Sequence, residues 1–579
     1  MKTSKILSLM LAIVMMLGIA LPLTVSAADI TIDDGDSFAN TYEAYRLMDL
    51  QTVVTCGDTH THTDDCYGYA YTLRLASESA NAANIRTAVL DALNITPGSM
   101  TEAQINAAVI TAINAMTDDP SDDRTFAADT RKMADDLYAA LQDAGAVADA
   151  TSSSESFTGL PQGYYLIVDT TNPLEDGDAN SKFILDTMGQ NNITINAKKD
   201  VPTVDKDLWK HNGSTISTDA TPADDTTGAW AKETDVNIGD VVFYKVPGTL
   251  PSNLQDFVKY YYGITDTMSL GLTYQNDMKV TYYASAADAD SQTGGEDVTA
   301  FFTTTATAGA TNTVLTSVCA DILDDEGLSE DISVTKDGIF VFEYSAKLND
   351  EAVIGNPGNP NEVFLTYSSN PNLNGDGEPN DETNDTPEVF TVVFTYQLDV
   401  TKTDTNDAPI TTDTAKFVAY RMNGTDKEYV VLDASNNVAS WTLDKDLATQ
   451  IETSAASLFS IIGLDAGTYY LEETKAPSGY NLLTDPIEFV IAATIEEISD
   501  NYEITELTIT VDGGTAADGN VATGIVPMAI QNGTGPKFPG TGGIGRTLFI
   551  IGGLLLIGVC TGAFIVYKKK SSLDSLNSK

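Results

Sequence analysis

Hydrophobic and polar positions alternate with a period of two along much of this chain, the mark of strands that bury one face. Val204, Lys206 and Leu208 share one face of such a strand, Val236, Ile238, Asp240, Val242 and Tyr244 share a face of a second, and Asn361, Val363, Leu365 and Tyr367 of a third. Further on, Leu398, Val400 and Lys402 alternate, as do Tyr469, Leu471 and Glu473, and then Met528, Ile530 and Asn532. Nearer the start the period differs. A strand-like stretch around Tyr42 to Leu50 gives way to apolar residues spaced by three and four, which predict helices over 83–93, 101–116 and 127–144. Strands return at 163–168 and 192–197. The pattern predicts a mainly β protein whose first domain is a strand framework carrying a helical insertion.

Each apolar face named above for the later domains carries one polar intruder, and the set is the same twice: lysine first, acid in the middle, asparagine last. A lone charged or amide group on a buried face is costly unless it is paired, so the three residues of each set are expected to meet. Their chemistry suggests why. Burial lowers the pKa of an amine and raises that of a carboxylic acid. A neutral amine is a nucleophile that can attack the asparagine carboxamide carbon, and the acid can hydrogen-bond the carboxamide and shuttle protons as ammonia leaves. The product is an intramolecular Lys–Asn isopeptide bond, made once and independent of redox state. The expected sets are Lys206, Asp240 and Asn361, and Lys402, Glu473 and Asn532. Asn359 has the parity of Asn361 and Asn370 lies nearby, so the middle asparagine stays open among the three.

The chain is bracketed by two apolar runs. Lys2 and Lys5 precede a run from Ile6 to Leu23, with small residues at Val25-Ser26-Ala27, which reads as a secretory signal peptide over 1–27. At the other end 548–566 is an uncharged apolar stretch long enough to span a bilayer, followed by Lys568-Lys569-Lys570, which should stay cytoplasmic. The expected domains are 28–200, with the helical insertion and a Cys/His hairpin, then 201–388, 389–535, and 536–579 with the span and basic tail. The formal charge of −52 repels nucleic acid and favours solubility, so no nucleic-acid partner is expected. Four cysteines in 579 residues are too few for a disulfide scaffold. Cys319 has no evident partner. Cys56, His60, His62 and Cys66 form a compact set with two open readings, a structural zinc site or a Cys56–Cys66 disulfide with solvated histidines. No acid–base partner of suitable spacing stands beside them, which argues against a metal-dependent enzyme. No cofactor is otherwise required.

Specific motifs add a resemblance. Phe538-Pro539-Gly540-Thr541-Gly542, the apolar span and the lysine cluster resemble the LPXTG-type sorting signal of Gram-positive surface proteins, with Phe538 in the leucine place. Tyr469-Tyr470-Leu471-Glu472-Glu473-Thr474 resembles the E-box of CnaB-type immunoglobulin-like domains, and Ile238-Gly239-Asp240 is similar to the CnaA-like middle domain of major pilins, where aspartate replaces glutamate. Asn196-Ala197-Lys198 stands where the pilin motif of that family has Tyr-Pro-Lys. The chain thus resembles a sortase-assembled major pilin, which implies a mainly β fold of tandem immunoglobulin-like β-sandwich domains of CnaA and CnaB type, with a C-terminal transmembrane helix in the precursor. The resemblance implies cleavage by a pilin-class sortase between Thr541 and Gly542, joining to Lys198 (with Lys199 the other choice) of an identical subunit in an open filament, and catalytic roles for Asp240 and Glu473 in isopeptide formation. It also implies attachment to peptidoglycan through a housekeeping sortase, room for minor pilins, and a cell-surface, wall-anchored location. Such a protein is a sortase substrate and not a turnover enzyme. The second reading is a wall-anchored monomeric adhesin. The first domain has no acid in the E-box place after Gly163-Tyr164-Tyr165-Leu166 and no lysine in its opening strand, so no such bond is expected there.

Overall fold

The computed structural model describes residues 27–33, 40–54, 67–114, 128–187, 192–196, 200–211, 221–223, 225, 227–324, 327–328, 332–371, 381–499 and 501–535. Cys56, His60, His62, Cys66, Lys198, Lys199 and everything from residue 536 onward, including Phe538–Gly542 and the 548–566 run, lie outside them. Among the described residues no helix is long and apolar enough to cross a membrane.

The first unit layers two sheets and three helices. Ala28–Asp33, an opening strand that the sequence reading passed over, lies between Ser156–Leu160 (antiparallel) and Asn192–Asn196 (parallel). The second sheet runs Tyr67–Leu73, Tyr42–Val54, Gly163–Asp169, Lys182–Asp186, with Ala150–Ser152 also on Tyr42–Val54. Gly163–Asp169 serves two cores by simple alternation: Tyr165 and Ile167 face the first sheet, while Leu166 and Val168 face the helices. Those helices, Ala80–Ala92, Glu102–Asn114 and Ala128–Asp143, are inserted between Tyr67–Leu73 and Ala150–Ser152. The first begins where the Ser79 hydroxyl accepts the Ala82 N–H at 2.9 Å, satisfying one of the orphan donors of the first turn.

The second unit is a sandwich of two seven-stranded sheets. One runs Ala229–Ala231, Asp207–Lys210, Val241–Thr249, Ile339–Leu348, Lys279–Tyr283, Glu296–Asp297, with Leu272–Tyr274 on Ile339–Leu348. The other runs Glu233–Asp235, Val389–Phe394, Asn359–Ser368, Tyr262–Ser269, Asn312–Cys319, Thr303–Ala308, with Thr383–Asp385 on Asn359–Ser368. Cys319 is a buried free thiol of this core. It donates to the Asp321 carbonyl at 3.4 Å, and burial pushes its pKa up.

A single residue, Thr395, separates Val389–Phe394 from Tyr396–Asp404, the first strand of the third unit. There Tyr396–Asp404 lies between Leu458–Leu464 and the last strand, Ile525–Asn532, with which it pairs in parallel. An eight-stranded sheet that includes Lys416–Asn423, Gly467–Lys475 and Ile487–Glu497 covers this layer. Apolar side chains of the second and third units form one continuous core. At their contact, a Cβ on Gly355 would sit 2.2 Å from the Gly524 nitrogen, so only glycine allows that approach. Beside it the Asn356 side chain pairs with both backbone groups of Ile504, at 2.8 and 3.1 Å.

The expected strand from Val236 to Tyr244 begins only at Val241. Val236 to Asp240 form the connection that joins Glu233–Asp235 to Val241–Thr249, and Gly239 within it has φ +98°. Asp240 closes that connection, and only from Val242 onward does the buried face belong to the sheet.

Candidate functional sites: two buried lysine–acid–asparagine clusters

In the third unit the structure brings Lys402, Glu473 and Asn532 together. Lys402 is 1% exposed and Asn532 is equally buried. The parallel register sets Lys402 opposite Ile530 and Asp404 opposite Asn532, so both side chains turn inward on adjacent strands. The Lys402 Nζ donates to Asn532 Oδ1 at 2.6 Å and to the Ile530 carbonyl at 2.9 Å. Glu473 reaches over from the facing sheet. The Asn532 amide nitrogen donates to both its carboxylate oxygens, at 2.9 and 3.0 Å, and to the Asn481 carbonyl at 3.0 Å. The Leu483 N–H holds Glu473 Oε2 at 2.8 Å. Burial pushes the Lys402 ammonium down to about 8, against the opposing pull of Glu473. The carboxamide is thus gripped at both ends, its oxygen by the amine and its nitrogen by the acid.

In the second unit Lys206 and Asn361 enter one cluster, but the acid there is Asp266 and not Asp240. Lys206, just ahead of Asp207–Lys210, is completely buried, as are Asp266 and Asn361. The Lys206 Nζ bonds Asp266 Oδ2, and the Tyr344 hydroxyl donates to the same oxygen at 2.5 Å. The Asn361 amide nitrogen in turn donates to the Tyr344 oxygen at 2.8 Å. Tyr244 and Tyr344, cross-strand partners, stack with ring centroids 5.1 Å apart, and Nζ stands 5.4 and 5.8 Å from the two centroids. Burial pushes Lys206 down to about 8 although Asp266 opposes it. The Asp266 carboxyl is raised by burial, which outweighs the neighbouring Lys206.

Asp240 serves another purpose. Its carboxylate accepts from the Asn237 backbone and side-chain nitrogens at 3.1 and 3.0 Å. Asn237 Oδ1 then accepts from Asp465 N and from the Tyr469 hydroxyl, at 3.3 and 3.2 Å. Asp240 therefore braces the joint between the second and third units. Asp266 carried the same signal as the other intruders, since Tyr262, Ile264, Asp266 and Met268 alternate on one buried face. Among the asparagines, Asn359 is spent on backbone groups of Val353 and Val393, and Asn370 pairs with Glu382 on an exposed loop. Tyr344 had no distinguishing signal, because a tyrosine between Phe342 and Ala346 reads as core.

The first unit holds a buried ion pair of another kind, Lys182 with Asp135, which ties Lys182–Asp186 to the Ala128–Asp143 helix. Among the described residues no group of three His, Cys, Asp or Glu is arranged to hold a metal ion, and the Cys56–Cys66 hairpin lies outside those residues.

Comparison with known proteins falls on these same two units. Residues 238–371 match the family model of the Gram-positive pilin backbone subunit 2, Cna-B-like domain, where a CnaA-like domain was expected. That segment contains Asp266, Tyr344 and Asn361. Residues 396–506 match the SpaA prealbumin-like fold domain, which takes in Lys402 and Glu473. The trypsin-resistant surface T6 protein of Streptococcus pyogenes serotype M6 is 25% identical over 392 residues, which are 58% of this chain and 66% of that protein. The chain thus spans just under two thirds of that relative's length. Among solved structures, the T6 backbone pilin of serotype M6 Streptococcus pyogenes aligns with TM-score 0.47 at 15% identity, covering 88% of this chain and 99% of that one. The Corynebacterium diphtheriae major pilin SpaA aligns with TM-score 0.42 at 14% identity, covering 88% and 100%. With a pilin-backbone domain model and the SpaA prealbumin-like model on consecutive units, and a streptococcal surface relative across more than half its length, the chain is similar to the major pilins of Gram-positive bacteria.

Proposed function

We propose that this chain is the shaft subunit of a covalently polymerised cell-surface pilus, stiffened by Lys–Asn isopeptide bonds that its second and third units form on themselves. The observation that carries the reading is the Lys402–Asn532–Glu473 contact, in which a buried amine, a carboxamide and a carboxyl group touch one another. The step is balanced without a co-reactant. The neutral Lys402 amine attacks the Asn532 carboxamide carbon and the new C–N bond forms. The amine proton passes by way of Glu473 to the amide nitrogen, the old C–N bond breaks, and ammonia leaves. Lys206 and Asn361 undergo the same change with Asp266 as the acid.

Assembly uses two places in the mature chain, its sorting motif and the lysine at the boundary of the first and second units. A pilin-class sortase cleaves at Thr541–Gly542 and the Thr541 carbonyl is joined to Lys198 of the next subunit. Head-to-tail joining of this kind is heterologous and makes an open filament. A housekeeping sortase then links the finished filament to peptidoglycan. The protein is a substrate throughout.

Two measurements test this. Intact mass of the ectodomain should fall short of the sequence mass by two ammonia molecules, and no deficit at all would sink the isopeptide reading. Coexpression with a cognate sortase should give a ladder of high-mass species on a denaturing gel, lost in Lys198→Ala. A ladder that survives moves the linkage to Lys199 or another lysine, and a single wall-linked band makes the protein a monomeric adhesin.

A further inference from the structure

We propose that the Tyr344 hydroxyl is a catalytic proton relay in the second unit, carrying to the Asn361 leaving nitrogen the proton that Asp266 takes from Lys206. The inference rests on the isopeptide reading of that cluster and goes beyond it by giving a role to a residue outside the lysine–acid–asparagine set.

The hydrogen bonds form an uninterrupted circuit. Lys206 Nζ bonds Asp266 Oδ2, Tyr344 Oη donates to that same oxygen at 2.5 Å, and Asn361 Nδ2 donates to Tyr344 Oη at 2.8 Å. The third unit needs no such link, because Glu473 meets the Asn532 nitrogen directly at 2.9 Å. In the second unit the Asn361 nitrogen donates instead to the phenol oxygen, which donates in turn to the acid. The Tyr344 ring is held by its stack on Tyr244 and by an edge-on contact with Tyr274 at 6.1 Å, so its hydroxyl is fixed before the reaction begins. The whole side chain is buried, and no bulk water is at hand to carry the proton instead.

The steps balance. Nζ attacks Cγ of Asn361, forming the C–N bond and leaving a surplus proton on Nζ. That proton moves to Asp266 Oδ2. In the tetrahedral adduct the former amide nitrogen has a free lone pair, so the circuit reverses. Tyr344 gives its hydroxyl proton to Nδ2 and takes one back from Asp266. The old C–N bond breaks, ammonia departs, and Tyr344 and Asp266 end as they started. A phenol suits this role because it donates and accepts through one atom.

The test uses the full ectodomain, read by intact mass and by protease-digest detection of crosslinked Lys206 and Asn361 peptides over time after synthesis. Tyr344→Phe keeps the ring and its stack. Freshly made protein should lack the second-unit crosslink and weigh one ammonia more than the parent, while the third-unit crosslink, formed on the same molecule, reports that the chain has folded. The crosslink forming in Tyr344→Phe as fast as in the parent overturns the relay. A parent protein with no second-unit crosslink instead overturns the reading on which the relay rests. Should Tyr344→Phe disturb folding, fluorotyrosine placed at 344 retains the hydroxyl and its packing but alters its acidity. A relay predicts a changed rate of crosslinking, and an unchanged rate rules it out.

Discussion

In the second unit Lys206 and Asn361 stand on opposite sheets, and the acid shares the asparagine's sheet. In the third, Lys402 and Asn532 lie on neighbouring strands of one sheet, and the acid reaches across from the other. The same three kinds of side chain thus arrive by different routes. Their hydrogen bonding differs accordingly. Lys402 grips the amide oxygen while Glu473 takes the amide nitrogen, whereas Lys206 grips the acid and the amide is held by a tyrosine. What the two clusters share is burial of an amine beside an acid and a carboxamide. Which atom touches which differs between them, as do the acid and the sheet it comes from.

The largest effect should come from breaking each cluster separately. Glu473→Ala should lose the third-unit crosslink and keep the second, and Asp266→Ala should do the reverse, each read as one ammonia by mass. The Lys402–Asn532 bond would close a loop of about 130 residues, for which chain entropy alone gives about 5 kcal/mol. Thermal or denaturant unfolding of Glu473→Ala should show a loss of that order in the third unit.

A smaller effect sharpens the electrostatic side. In Asn532→Ala the amine has no electrophile and remains a titrating lysine. Burial holds its folded pKa near 8, below the ordinary 10.5, so the folded state binds fewer protons than the unfolded chain between those values. Stability of the variant should therefore rise from pH 7 to pH 10, by about 3 kcal/mol. A parent protein whose lysine has become an uncharged amide should lack this increment when both are measured side by side. A flat difference would mean that Lys402 is not held in a desolvated site.

Smaller still, Asp240→Asn should leave both crosslinks in place by mass, separating its bracing role from that of Asp266. Asn356→Ala removes the two bonds to Ile504 and should cost about 1–2 kcal/mol. Its readout is earlier proteolysis between the second and third units.

Much of this was legible in the residues, because period-two alternation reports burial directly. Lys402, Glu473 and Asn532 each interrupt an apolar face, and all three faces turn out to be inward. Asp240 misled because Val236, Ile238, Val242 and Tyr244 keep the same parity on both sides of a turn, and alternation cannot register a reversal that preserves it. Asp266 carried an equal signal in the strand Tyr262–Ser269. The helices of the first unit fell within a few residues of their expected ends, while Ala28–Asp33 was passed over although Ala28, Ile30 and Ile32 alternate inward. Tyr344 was beyond reach, since its role depends on a hydroxyl meeting two groups that are 78 residues before it and 17 after it.

The parallel register of Tyr396–Asp404 against Ile525–Asn532 bears on how far the third unit could stretch when pulled. Tension entering the third unit at Tyr396 and leaving beyond Asn532 loads these two strands in opposite directions. Left unlinked, they could slide apart and release the 129 residues between Lys402 and Asn532, a slack on the order of 400 Å of extended chain. With Lys402 and Asn532 joined, the route from entry to exit is the run from Tyr396 to Lys402 and then the crosslink. Everything from 403 to 531 hangs beside that route as a closed loop, free to be cut, to vary in sequence or to lose its fold without lengthening the path under load.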